Sequence, residues 1–181
     1  MEETLLLPTS VQSKGVVYKD RNQTIRRIVA QFEGFQKEYF VSDHGPRAAI
    51  VALRAGAVLL TRQYRLLPNR VSLEIPGGRV DPEESPQAAA VRECFEETGV
   101  RCRDVVPLLE FHSGVDIWLN YTHLYVSPKV EVSDAVPDDK RAFVTLEECL
   151  DMVFTGKIVD MLSITALLAL HARRTRGRAE L

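Results

Sequence analysis

The chain is 181 residues long, 45% hydrophobic, and carries a formal net charge of −2 with three cysteines. That length suits one domain with an appended arm, and the apolar share allows a packed core. A near-neutral charge gives no electrostatic reason to expect nucleic acid or a membrane surface as a partner.

From the amino terminus, Met1-Glu2-Glu3-Thr4-Leu5-Leu6-Leu7-Pro8 is acidic, and its apolar run is too short for a signal segment. Val16-Val17-Tyr18, Thr24 to Phe32 and Glu38 to Val41 are β-prone runs broken at Asp20-Arg21-Asn22 and Gly34-Phe35, which predicts an antiparallel meander. After His44-Gly45-Pro46, Ala48 to Leu53 and Ala57 to Tyr64 read as a hairpin of more buried strands turning at Arg54-Ala55-Gly56. Val71 to Ile75 is a short strand running into Pro76-Gly77-Gly78, read as a backbone bend with little side-chain bulk. Ser85-Pro86 reads as a helix N-cap followed by proline at the first helical position, and Gly99 as the glycine just past the helix end. Between them Ala89, Val91 and Phe95 are available to bury.

Cys102 to Phe111 and Trp118 to Val126 are predicted strands, and Val144 ends another. Thr145-Leu146-Glu147-Glu148 opens a helix by its capping pattern, and Met161 to Ala172 has the spacing of a closing amphipathic helix. No segment approaches transmembrane length. Cys94, Cys102 and Cys149 are odd in number and lack metal-ligand spacing, so reduced thiols in a cytoplasmic protein are expected.

The chemistry concentrates in the segment from Gly78 to Val100. A helix advances about 100° per residue, so Glu93, Glu96 and Glu97 share one arc of it. Carboxylates crowded at that spacing repel, by a few tenths of a kcal/mol at i,i+4. A cation between them relieves the repulsion, and an all-oxygen set suits Mg²⁺ or Mn²⁺ better than Zn²⁺. A solvated acidic face is the plain alternative. The glycines just before the helix, where a carbonyl can reach a metal or a phosphate can come close, weigh against it.

Gly78, five residues, Glu84, seven residues, Arg92-Glu93, an apolar residue, any residue, Glu96-Glu97, any residue, Gly99 and an apolar residue resemble the Nudix box in full. Cys94 stands where larger aliphatics are usual in that family, and a buried cysteine behaves as a small hydrophobe. The resemblance implies an α/β fold, an α/β/α sandwich around a mixed sheet. It also implies metal-dependent hydrolysis of a nucleoside diphosphate linked to another moiety. By position, Glu93 and Glu97 would bind divalent metal, Glu96 would assist, and the Gly77 carbonyl would complete the set. Arg92 would orient the carboxylates, and Glu84 would be structural or a minor ligand.

About 45 residues of strand-rich sequence precede the core strands, a layout similar to the ADP-ribose pyrophosphatase branch. In that branch an N-terminal antiparallel strand arm supports a homodimer, so residues 1–45 are read as that arm and residues 46–181 as the Nudix domain. Arg62-Gln63-Tyr64-Arg65, Leu73-Glu74-Ile75-Pro76-Gly77-Gly78 and Gly156-Lys157-Ile158-Val159-Asp160 resemble further segments of ADP-ribose and nucleoside diphosphate sugar hydrolases. The resemblance points to Arg65, Glu74 and Arg79 as substrate-binding residues. Arg65 would serve phosphate or a carboxylate bidentately, with pairing at a strand end the plainer reading. For Arg79 the plainer reading is a solvated side chain. Trp118 and Tyr121 are candidates to stack on a base, with a core position the default. The arginines of Arg173-Arg174-Thr175-Arg176-Gly177-Arg178 read as cations favoured by the preceding helix dipole rather than as a nucleic-acid site.

One departure stands out. The family branch carries a proline and a catalytic glutamate in a loop after the box, and Phe111 to Trp118 has neither. Asp116 is the substitute, with Asp138, Asp139 and His112 as other candidates for the base. The expected reaction is Mg²⁺-dependent cleavage of ADP-ribose or a similar nucleoside diphosphate sugar, Mn²⁺ substituting. The alternatives are another nucleoside diphosphate derivative (GDP-mannose, UDP-glucose or a dinucleoside polyphosphate) or a non-catalytic nucleotide sensor.

Overall fold

A computed structural model of the chain describes residues 6–133 and 138–177, the side chain of Asp138 excepted. Its strands are β1 (Ser10–Lys19), β2 (Thr24–Phe32), β3 (Phe35–Asp43), β4 (Arg47–Arg54), β5 (Ala57–Arg65), β6 (Arg70–Glu74) and β7 (Gly77–Arg79). After helix α1 (Pro86–Thr98) come β8 (Val100–Arg103), β9 (Val106–His112), β10 (Trp118–Leu119), β11 (Tyr121–Ser127) and β12 (Lys129–Val132). A 3-10 turn at Asp138–Lys140 leads to β13 (Arg141–Val144), α2 (Leu146–Phe154) and α3 (Met161–Thr175). The chain divides into two units, Met1–Pro46 with His112–Tyr121, and Arg47–Phe111 with Thr122–Leu181.

In the first unit β1, β2 and β3 form the expected antiparallel meander, with β2 and β3 in register from Thr24↔Asp43 to Phe32↔Phe35. The Asp20 carboxylate shapes the first turn by accepting from the backbone N–H groups of Asn22 and Gln23. β1 is longer than the apolar triplet at 16–18 suggested, and every residue of it is exposed. β10 adds to this sheet, parallel to β3. The segment 112–121, read from sequence within the domain 46–181, therefore groups with the N-terminal strands.

In the second unit the sheet runs β13-β5-β4-β11-β9, with β6 on β5 and β7 on β4. The β4–β11 pair is parallel and β4–β5 antiparallel, so the sheet is mixed. Every residue from Ala48 to Leu53 is buried. Both faces of β4 are covered: Ala49, Val51 and Leu53 pack towards α2 and α3, and Ala48, Ile50 and Ala52 towards α1. An uninterrupted apolar run is what a doubly covered strand requires.

β5 and β7 share one edge of β4. β5 holds Leu53 and Arg54, and β7 holds Arg47 to Ala49. β5 thus parts from β4 where the glycines enter, and α1 leads away from that split. Gly77-Gly78 is therefore extended, as β7, rather than the expected bend. Small size is what the position needs: a Cβ on Gly77 would lie 2.4 Å from the Ala49 Cβ.

α1 begins and ends where expected. The Ser85 side chain accepts from the Ala88 N–H, and Gly99, at φ 68°, donates its N–H to Phe95 O at 2.8 Å. Its buried stripe is Ala89, Ala90, Cys94 and Thr98, whereas Val91 and Phe95, expected inside, are half-buried. Small side chains let the helix lie close to β4, and Cys94 belongs to that stripe. Phe95 sits 4.2 Å from the Arg101 guanidinium carbon.

Other expectations need correction. The run 102–111 is two strands, β8 and β9, parted at Asp104 with φ 52°. The run 118–126 is likewise two, since β10 pairs with β3 and β11 with β4. β12, unforeseen, pairs antiparallel with β8. α3 extends three residues beyond Ala172, to Thr175. Among the described residues no helix is long and apolar enough to cross a membrane.

Candidate active site

The carboxylate face of α1 is organised by one arginine. Arg92 Nε and Nη2 donate to the two Glu84 oxygens at 3.0 and 2.9 Å, and Nη1 donates to Glu93 at 2.9 Å and Glu96 at 3.2 Å. Nη2 also reaches the carbonyl of Arg79 at 3.1 Å, so the guanidinium ties the helix to β7. The hydrogen bonds to Glu84 and Glu93 hold its pKa well above the ordinary arginine value, and Arg92 holds Glu84 low in return. Glu93 is packed over Gly78 so closely that a Cβ there would lie 2.2 Å from its Oε1. The box glycine is needed because the carboxylate occupies the space of a side chain.

Glu97, one turn on, is held differently. Its Oε1 accepts from Gln63 Nε2 of β5 at 3.0 Å, and its Oε2 accepts from the Gly77 N–H of β7 at 3.2 Å. Burial pushes its pKa up to about 7, with Glu93 and Glu74 adding to the rise and the Gly77 N–H and Arg65 opposing it. Glu96 is the outermost of the box glutamates, its side chain 57% exposed.

Behind Glu97 lies an ion pair. Arg65, at the end of β5, bonds to both oxygens of Glu74 on β6 through Nε and Nη2. The Glu74 side chain is 4% exposed and that of Arg65 46%. A cavity of about 270 Å³ opens beside the pair, bounded also by Leu66, Pro68, Val159 and Asp160. The Gly156-to-Asp160 segment supports this corner. Asp160 caps α3 at Ser163, whose hydroxyl donates to Asp160 and accepts from the Ile75 N–H at 2.9 Å.

The second unit therefore brings together Arg65, Glu74, Gly77, Arg79, Arg92, Glu93, Glu96 and Glu97, the last joined by Gln63, which sequence reasoning had not singled out. The available signal for Gln63 was its place in the Arg62-Gln63-Tyr64-Arg65 segment. Asp116 belongs to the first unit, where its charge acts on Lys37. His112 lies there too, edge-on to Tyr121 at 4.8 Å. Trp118 is 49% exposed rather than in a core. Asp139 is exposed, and the side chain of Asp138 lies outside the described residues. In the arginine cluster Arg173 caps the Pro107 carbonyl at 2.9 Å, and Arg178 lies outside the described residues.

Among the described residues no three His, Cys, Asp or Glu side chains already converge as a metal cage, since Glu93 and Glu96 turn to Arg92 and Glu97 to Gln63 and Gly77. The donor chemistry nonetheless fits a hard divalent cation. Glu93 and Glu97 lie one turn apart and close enough for one charge to raise the pKa of the other. A dication placed between them would relieve that repulsion.

The NUDIX domain model matches residues 43–160. The chain is 28% identical over 137 residues to a methanol dehydrogenase activator of Bacillus methanolicus, covering 72% of this chain and 74% of the relative. It is 25% identical over 130 residues to the ADP-ribose pyrophosphatase of Bacillus subtilis (strain 168), covering 68% of this chain and 70% of that one. It is also 25% identical over 160 residues to a CMP-5'-(N-acetyl-N-hydroxy-3-aminopropyl)phosphonate hydrolase of Streptomyces rubellomurinus (strain ATCC 31215), covering 85% of this chain and 78% of that one. In fold it superimposes on a crystal structure of an ADP compounds hydrolase with a TM-score of 0.80, at 20% identity, over 99% of this chain and 100% of the other. With the box glutamates on α1 and the glycines of β7 in place, the chain belongs to the Nudix hydrolase family.

Proposed function

We propose that the protein hydrolyses the pyrophosphate bond of ADP-ribose, or of a similar nucleoside diphosphate sugar, to a nucleoside monophosphate and a sugar phosphate. The observation that carries this reading is Glu97, half-buried beside Glu93 and anchored to the N–H of the glycine that precedes the box. The relationship to the Bacillus subtilis ADP-ribose pyrophosphatase supports the substrate class.

Glu93, Glu97 and the Gly77 carbonyl would hold Mg²⁺, with Mn²⁺ able to substitute and Glu96 assisting. The ion, when bound, neutralises pyrophosphate oxygens and lowers the pKa of a coordinated water. Arg92 orients Glu93 and Glu96 and keeps β7 against the helix. Arg65 and Glu74 form the wall next to Glu97, and the adjoining cavity has room for part of the moiety beyond the phosphates. Arg79, just past the glycines, is assigned to the substrate phosphates. Asp116 is proposed as the substitute for the loop glutamate that the family resemblance implies, the base that takes the proton of the attacking water.

The chain is proposed to act as a homodimer through its N-terminal strands, whose exposed apolar residues include Val11, Val16, Val17 and Phe40. Three buried cysteines without disulfides support a reducing compartment, the cytoplasm.

The test is product analysis after incubation with Mg²⁺ and ADP-ribose, GDP-mannose, UDP-glucose, a dinucleoside polyphosphate or a nucleoside triphosphate. AMP and ribose 5-phosphate from ADP-ribose, at the highest rate in the panel, is the expected result. A second reading, hydrolysis of another nucleoside diphosphate derivative, is favoured by the missing loop glutamate, and preference for another compound would select it. A non-catalytic sensor is disfavoured by the intact box glutamates, and silence on every compound would restore it.

A further inference from the structure

The glutamates of α1 are prepared in two ways. Glu93 and Glu96 face the Arg92 guanidinium, a positive charge. Glu97 is held by neutral donors, the Gln63 amide on one oxygen and the Gly77 N–H on the other. Gln63 owes this position to strand geometry. Alternation along β5 puts Thr61, Gln63 and Arg65 on one face, and the antiparallel register opposes Thr61 to Glu74 and Gln63 to Ser72. That shared face is the one Glu97 meets. Ser72 is fully buried on it, and its hydroxyl has no hydrogen-bond partner among the described residues.

A carboxylate has two oxygens with about four lone-pair directions in all. One donor on each oxygen pins rotation about the Cγ–Cδ bond and leaves each oxygen a free direction. A neutral amide does this without cancelling the negative charge that a divalent cation is drawn to, whereas a lysine or arginine at the same place would cancel it. We propose that Gln63 is a positioning residue that locks the Glu97 carboxylate in the orientation that binds the metal. The assignment rests on the metal-dependent reading above and goes beyond the box residues.

The experiment is a Mn²⁺ titration of the substrate-free protein, followed by electron paramagnetic resonance of the free ion, for wild type, Gln63→Met and Gln63→Asn. Methionine keeps the length and removes the donor, and asparagine keeps the donor but falls short of Glu97. Both variants are expected to raise the Mn²⁺ Kd about tenfold, the lower end for outer-shell partners of metal ligands. Circular dichroism and Tm are expected to stay at the wild-type values. In turnover of ADP-ribose, kcat should fall at low Mg²⁺ and recover as Mg²⁺ is raised, with KM at saturating metal unchanged. A purely structural glutamine would instead lower Tm and leave the metal Kd alone. A folded variant binding Mn²⁺ within about twofold of wild type overturns the assignment. Should Gln63→Met not fold, Gln63→Asn decides. If wild type binds metal and turns over while the variants match it, this inference alone fails. If wild type binds no metal, the functional reading fails with it.

Discussion

The acidic face of α1 and the polar face of β5–β6 meet at Glu97, and they are assembled in different ways. On α1, Glu93, Glu96 and Glu97 come together because three and four residues make about one helical turn. On the strands, Gln63, Arg65 and Glu74 come together because two segments pair and then pack against a helix whose contact residue, Glu97, lies 34 residues beyond Gln63. The helix carries mostly exposed or half-exposed charge gathered round Arg92. The strand face carries a buried carboxylate, Glu74, matched to one guanidinium. A local repeat thus supplies the reactive groups, and a non-local face holds one of them in place.

The sharpest break in that comparison is Glu97→Gln, which keeps shape and removes charge at the point where the faces meet. Turnover is expected to fall by more than the roughly 10–100-fold typical of outer-shell changes, with Tm preserved. Steady-state kinetics with a thermal melt would check it, and retained turnover would remove Glu97 from the mechanism.

Next in size, the arginines should separate activity from stability. Arg92→Ala frees carboxylates that water can reach, so stability should change by about 1 kcal/mol or less while kcat falls about 10–100-fold. Arg65→Ala strands a buried Glu74 and should cost about 2 kcal/mol, the half-exposed guanidinium keeping it below the fully buried case. Urea denaturation beside kinetics tests the pair, and equal losses of stability would contradict the contrast.

The glycines offer a smaller contrast of the same kind. Gly77→Ala drives a Cβ into Ala49 and the Ala48 carbonyl, rigid neighbours, and should destabilise by about 1–3 kcal/mol. Gly78→Ala meets the movable Glu93 carboxylate, so it should leave Tm nearly intact and lower turnover about tenfold. Melting curves and rates on both variants distinguish them.

The smallest expected effect is in pH. Glu97 has its pKa raised from 4.5 to about 7 in the folded chain. Its contribution to metal-free stability is fully present below about 4.5 and is lost as pH rises through about 7, because the folded state holds the proton longer than the unfolded. Metal binding runs the other way, since the proton must leave first. Between pH 7.5 and 6.5 Mg²⁺ affinity should fall about threefold, for a single proton near pH 7. Calorimetric titration at the two pH values checks the sign, and an affinity flat across that range would place the Glu97 pKa elsewhere.

Legibility followed sequence distance. The helix bounds at Ser85 and Gly99, the capping box at Thr145 and Glu148, and the hairpin at Ala55-Gly56 were readable because each is decided by neighbours a few residues apart. The runs 102–111 and 118–126 were misread as single strands because continuous β propensity does not say which sheet each half joins. Only pairing sends Trp118–Leu119 to β3 and residues 122–127 to β4.

The sequence by itself determined the carboxylate arc, the glycines before it and the family they mark, since helical period and chain order are local properties of the covalent chain. Tertiary structure alone decided that Gln63 meets Glu97, that Arg65 pairs with Glu74, and that Gly78 is small to make room for Glu93. Those contacts depend on how β5 parts from β4 and where α1 settles, and no spacing within one segment encodes the packing of another.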